Sequence, residues 1–276
     1  MNKPIGPSWV GIALLLCAAL AHGQSGSYDW SGASVLGPGV KHATITAGRN
    51  RIDCVQIDTQ TSGLRFYTTE RCPDYVADAQ ETQTRKTVQF VSDSQRAPHP
   101  VLVAINANEF SPVIVGKVNL LGYAAWEGTR VSAQGGPALV IGKDGTARIT
   151  RLAAGADASQ IQAAVSGQQD VLTKGKPASG NRPNRRTAIG LSEDGRYVYF
   201  MTHTSAGIAE VGEWLRHCGA FDGVLMDGGR STAMARWNGR SAVVVSGSWQ
   251  RSVGNSIGVY YDTPPADLAQ GYNTER

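Results

Sequence analysis

Phenylalanine is scarce, at five residues in 276, as are histidine, also five, and cysteine, four. Few phenylalanines beside 33 glycines disfavour a helical bundle and favour a strand-rich body with tight turns and close backbone approaches. The histidines are scattered, with no HExxH and no paired spacing, so a zinc site has little support and the residues require no cofactor. Basic residues form no dense cluster; the nearest approach is NRPNRR at Asn181 to Arg186. A net charge of +4 therefore does not argue for nucleic acid. Nor is there a phosphate loop. Pro137 stands where the opening glycine of such a loop belongs and Asp144 replaces its hydroxyl residue, while GPGVKH starts like a dinucleotide fingerprint and breaks off at His42.

The start of the chain, MNKPIGPSWVGIALLLCAALAHG, carries one lysine, an apolar run from Val10 to Ala21, and small residues at Ala19 and Ala21. This pattern predicts a cleaved export signal over residues 1–21, and hence a periplasmic or secreted protein. A lipid anchor at Cys17 is disfavoured by Leu16, where a small residue is expected. No later segment is apolar enough to span a bilayer. Loss of Lys3 with the signal takes the net charge from +4 to +3. In an exported protein Cys54 and Cys72 are the natural disulfide pair; Cys218 is then odd, and reads as a buried helix thiol rather than a nucleophile, since the sequence pairs no His with it.

With 41% hydrophobic and 17% charged residues the chain buries a large core. Residues Ser25 to Ala47, rich in Gly, Ser and Pro, are expected to wind over the surface ahead of it. CVQIDTQ and LRFYTTE alternate apolar and polar residues around Ser62-Gly63, a hairpin signature. A short helix is expected within Thr82 to Ser94, and a strand buried on both faces at Pro100 to Ile105. GPALVIGKDGTARI and TAIGLSEDGRYVYF each read as strand, Asp-Gly turn, strand. GIAEVGEWLRHCGAF places Ile208, Val211, Leu215 and Cys218 on one helical stripe, closed by Gly219. Strands at FDGVLMD, SAVVVSGSW and NSIGVYYD follow. The fold class is α+β, a mixed, strand-rich sheet core with a few flanking helices.

Three stretches carry chemistry. In GVLMDGGRSTAM an apolar strand stops on Asp227, and Gly228 and Gly229 let a ligand approach the main chain. The amides of Gly228 to Ser231, with Arg230 and the hydroxyls of Ser231 and Thr232, suit an anion. A tight turn whose Asp bonds its own backbone reads as well. In INANEF, Asn106, Asn108 and Glu109 follow a buried strand; asparagines suit sugar hydroxyls or phosphate oxygens, and Glu109 suits general acid or base work. A polar turn is the alternative. In NRRTAIG the Arg186 fork suits phosphate or carboxylate, with Arg185 left to solvent. His203 either lines the site or is a hydrogen-bonded core histidine.

Taken in order, VQIDTQTSGLRFY, VLVAINANEF, VSAQGGPALV, RRTAIGLSEDGRYVYFMT, FDGVLMDGGRSTAM and SVGNSIGVY resemble the phosphodiester glycosidase family, from about Cys54 to Tyr261. The resemblance implies one glycosidase-like domain over 48–262, a surface segment over 22–47 and a tail over 263–276. It also implies a hydrolase that cleaves a sugar from a sugar-1-phosphate diester or phosphate-linked envelope glycan. Asn106, Arg186, Thr187, Asp227, Gly228, Gly229 and Ser231 match the family's patterns. Glu109 stands where an aromatic or apolar residue is usual, Asn108 and Arg230 replace glycines, Gln168 and Gln169 occupy a Gly-Gly-Pro-like stretch, and Thr204 lies near an acidic position. Asp227 and Glu109 are the expected catalytic carboxylates. Asn106, Asn108, Arg186, Thr187, Gly228, Gly229, Arg230, Ser231, Thr232 and His203 are the expected substrate contacts. A binding protein of the same fold that lost turnover is the alternative.

Overall fold

In the strand Asn50–Asp58, Val55 and Ile57 point to one apolar cluster while Ile52 and Cys54 point to another. Side chains alternate between faces of a strand, so a strand that is apolar on both must be covered on both. That requirement organises the protein. The structure, a computed structural model, describes residues 27–247, 251–263 and 265. The export signal and nearly all of the C-terminal tail lie outside them.

Asn50–Asp58 sits inside an eight-stranded sheet. From edge to edge its strands are Ser34–Gly37, Val40–Ala47, Asn50–Asp58, Tyr197–Ala206, Asn184–Leu191, Asp222–Leu225, Gln169–Thr173 and Lys176–Pro177. One face packs against a five-stranded sheet ordered Ala242–Ser246, Met234–Trp237, Val103–Asn106, Ser256–Tyr261 and Leu64–Thr68. Phe200 and Phe66 meet across this core edge to face, 6.3 Å apart. A second five-stranded sheet joins the same core through Leu139, Ile141, Ala163 and Val165. Helix α1 (Thr87–Ser94) covers the first five-stranded sheet, burying Phe90 and Val91.

The other face of the large sheet is covered by helix α2 (Ile208–Cys218). Val211, Leu215 and Cys218 recur at helical spacing and pack with Ile52, Cys54 and Met201. The helix stops at Gly219, whose φ of 110° is left-handed backbone that a side chain would strain. Both Asp-Gly hairpins form as expected, Gly136–Gly142 with Ala147–Leu152 and Asn184–Leu191 with Tyr197–Ala206.

Four expectations are corrected. Every strand pair among the described residues is antiparallel, so the sheets are not mixed and strands dominate the two α-helices. Residues 34–47 do not wind over the surface; they are two strands of the large sheet, and Val40, Ala43 and Ile45 are buried. Asn50–Asp58 and Leu64–Thr68 are not a hairpin. The turn at Ser62-Gly63 passes the chain from one sheet to the other. Lastly, Cys54, Cys72 and Cys218 are free thiols. Cys54 points under α2, in the cluster that holds Cys218, whereas the Cys72 Sγ lies in a loop and donates to Gln80 O at 3.2 Å.

Candidate active site

Asn106 ends the strand Val103–Asn106 with its side chain fully buried. Its Oδ1 accepts from Thr187 Oγ1 at 2.7 Å and from the Ala233 amide at 3.0 Å, and its Nδ2 donates to Asp227 O at 2.7 Å. Backbone bonds add to this knot: Asp227 N–H to Ala107 O at 3.0 Å, and Met226 N–H to Thr187 O at 2.9 Å. Three stretches distant in the chain therefore converge. A buried amide with both ends engaged is rigid, because breaking any one bond strands a polar group away from water.

The Asp227 carboxylate emerges at this point with 9% of its side chain exposed. Burial raises its pKa above the ordinary carboxylate value. The Ser231 hydroxyl and the Arg251 guanidinium oppose that shift, while the nearby Glu109 charge adds to it. Arg251 Nη2 lies 3.4 Å from Asp227 Oδ2 and Arg251 Nε donates to Ser231 Oγ at 2.7 Å. The guanidinium also sits 5.2 Å from the centroid of Phe110.

The turn after Asp227 is built for close approach. A Cβ on Gly228 would stand 2.9 Å from Arg185 O, and Gly229 has a left-handed φ of 61°. Ser231 N–H bonds Gly228 O and Thr232 N–H bonds Gly229 O, closing a short 3-10 turn. Arg230 is exposed. Glu109 is half-buried beside the carboxylate, and its Oε1 accepts from Gln168 Nε2 at 2.5 Å.

Other expected contacts are placed differently. Asn108 is fully buried and wholly committed. Its Nδ2 donates to Leu121 O and Tyr123 O, and its Oδ1 accepts from the Ser166 amide and Asn255 Nδ2. Arg186 and Thr187 are neighbours on one strand, so they point to opposite faces. Thr187 faces Asn106; Arg186 turns the other way, donating to Ala206 O at 3.2 Å and Arg182 O at 3.0 Å. His203, paired with Arg186 in the ladder, shares that face. Its ring is sealed, its Nδ1 accepts from the Ser205 amide, and burial pulls its pKa down to about 4. Arg185, expected in solvent, is exposed yet lines a cavity with Thr232.

Sequence reasoning missed Arg251. It stands just before SVGNSIGVY, 24 positions from Asp227, and nothing local marks it.

The sequence model of a family described as phosphodiester glycosidase matches residues 99–260. No curated protein matches the chain. Among solved structures, the chain is similar to the catalytic domain of zebrafish N-acetylglucosamine-1-phosphodiester alpha-N-acetylglucosaminidase, auto-inhibited by its pro-peptide. Identity is 18% and the TM-score 0.58, covering 94% of this chain and 96% of that one. It is also similar to a hypothetical protein from Synechocystis, at 13% identity and a TM-score of 0.55, covering 80% of this chain and 62% of that chain's length. A putative exported protein from Burkholderia pseudomallei is alike at 11% identity and a TM-score of 0.51, covering 80% and 74%.

Proposed function

The chain belongs to the phosphodiester glycosidase family, and from that premise we infer that it hydrolyses a sugar-1-phosphate diester or related phosphate-linked glycan, releasing the sugar. The observation that carries this reading is the placement of Asp227. Its carboxylate is mostly buried, held between Arg251 and Ser231, and feels the charge of a second carboxylate, Glu109. Two carboxylates beside a cation suit glycosidic chemistry on an anionic substrate.

In this mechanism Asp227 acts at the anomeric carbon, as nucleophile or as stabiliser of positive charge. The bond between that carbon and the phosphate oxygen breaks, and its electron pair leaves with the phosphate. Water supplies the new oxygen, and the half-buried Glu109 takes the proton water gives up. The leaving phosphate needs no strong acid. Arg251 sits where it offsets negative charge on the departing oxygen. Asn106 and Asn108 act behind the surface as positioning residues, because their amide groups are engaged with the protein.

The start of the chain supports export, and a phosphorylated carbohydrate of the cell envelope or its surroundings is the substrate class that fits. Incubating the mature protein with a panel of sugar-1-phosphate diesters tests the reading. Free sugar with a phosphomonoester is expected. A sugar phosphate, from P–O cleavage, would place the protein among phosphodiesterases, and binding without turnover would make it a glycan-binding relative.

A further inference from the structure

Beside the turn that follows Asp227 lies a cavity of about 290 Å³ that the mechanism does not use. Arg51, Arg185, Thr202, His203, Thr204, Thr232 and Gly247 are among the residues that line it, whereas Asp227, Ser231 and Arg251 do not. Thr187 and Thr202 pair across neighbouring strands; the register breaks between Asn184 and Arg186, and at this irregular end of the ladder Arg185 and Thr204 line the same cavity as Thr202.

The charges are unequal. Arg51 is pinned by Asp53, Nε to Oδ2 and Nη2 to Oδ1, both at 2.8 Å, and Asp53 is held further by Thr44 and His42. That pair is balanced. The Arg185 guanidinium has no hydrogen-bond or ion-pair partner among the described residues, so it leaves the cavity net positive. Thr232 is only 4% exposed, and its Oγ1 likewise has no partner. A buried hydroxyl without a partner is unusual in a folded protein, and it points to a group supplied from outside. Gly247, at a φ of 79°, runs against Thr232 so closely that a Cβ there would stand 2.2 Å from Thr232 O. The chain can pass here only without a side chain.

We propose that this cavity is a subsite for a second oxyanion of the substrate, a phosphate or sugar carboxylate carried apart from the scissile phosphate. Arg185 supplies the cation and Thr232 Oγ1 the hydroxyl. Arg251, at Asp227, serves the scissile group, and Arg185 serves the second one. The substrate is accordingly a polyanion, as in a glycan whose repeating units are phosphorylated or acidic. The substrate role rests on the glycosidase reading; anion binding does not.

Amide spectra of the intact chain, titrated separately with inorganic phosphate and with glucuronate, test it. The amides of Thr204, Thr232 and Gly247 are expected to shift, with the stronger ligand naming the class of oxyanion. Arg185→Gln and Thr232→Val each weaken that binding about fivefold or more, as loss of a charge-assisted bond does. Thr232→Val keeps the shape of the side chain and removes only the hydroxyl, and thermal melts check that both variants stay folded. In hydrolysis, both variants lose the preference in kcat/KM for a diester with an acidic aglycone over one with a neutral aglycone. No shift at these amides, or shifts that persist in both variants, would overturn the site. Shifts that follow the pattern in a chain that cleaves neither diester would overturn the substrate role and leave the anion site standing.

Discussion

Arg251 Nε donates to Ser231 Oγ at 2.7 Å while its Nη2 reaches Asp227, so one guanidinium links the serine of the glycine turn to the carboxylate at its start. Arg251 lowers the pKa of Asp227 against the rise that burial imposes. Removing the cation makes the ionised carboxylate harder to form. Arg251→Gln is expected to move the acidic limb of the kcat/KM profile to higher pH and to cost about ten- to a hundredfold in rate at its optimum. A pH–rate profile of hydrolysis checks both.

Glu109 acts on Asp227 in the opposite sense, since its negative charge raises the neighbouring pKa. Glu109→Gln therefore moves the acidic limb to lower pH. Because Glu109 also takes the proton from water, kcat falls while KM stays nearly constant. The two profiles, for Arg251→Gln and Glu109→Gln, must diverge in direction.

Asn106 holds Thr187, Ala233 and Asp227 at once. Asn106→Ala strands three buried polar groups and is expected to cost roughly 3 kcal/mol or more. Denaturant unfolding measures it. Thr187→Val removes one hydroxyl donor, leaves the Asn106 donor bond to Asp227 intact, and costs less.

Much of this arrangement is legible in the sequence. The Asp-Gly turns fix two hairpins because that dipeptide favours the backbone they need, and the stripe Val211, Leu215, Cys218 fixes a helix. Ser62-Gly63 also signals a turn, but a turn signal is local and does not say which sheet receives the chain. The site motifs are legible as polar groups at the ends of apolar strands. The partition between Arg185 and Arg186 is not, because it depends on which face of Asn184–Leu191 meets Asn106. Arg251 reaches Asp227 only through tertiary closure, and Asn108 reads as a ligand until its four partners are seen.

His203 gives a separate handle on stability. Burial pulls its pKa from 6.5 to about 4, with Arg186 beside it and Glu210 of α2 at 3.5 Å. The unfolded chain binds the proton more readily, so this contribution is full above pH 6.5 and is lost as pH falls toward 4. His203→Gln is expected to flatten the fall in melting temperature across that interval.

Sugar release depends above all on Asp227. Asp227→Asn removes the charge and keeps the shape, so hydrolysis of a sugar-1-phosphate diester is expected to fall at least about a thousandfold while the substrate still binds. Stability at neutral pH should hold or rise, because a partly buried charge is gone. A folded Asp227→Asn protein that releases sugar at the rate of the unaltered chain would contradict the account.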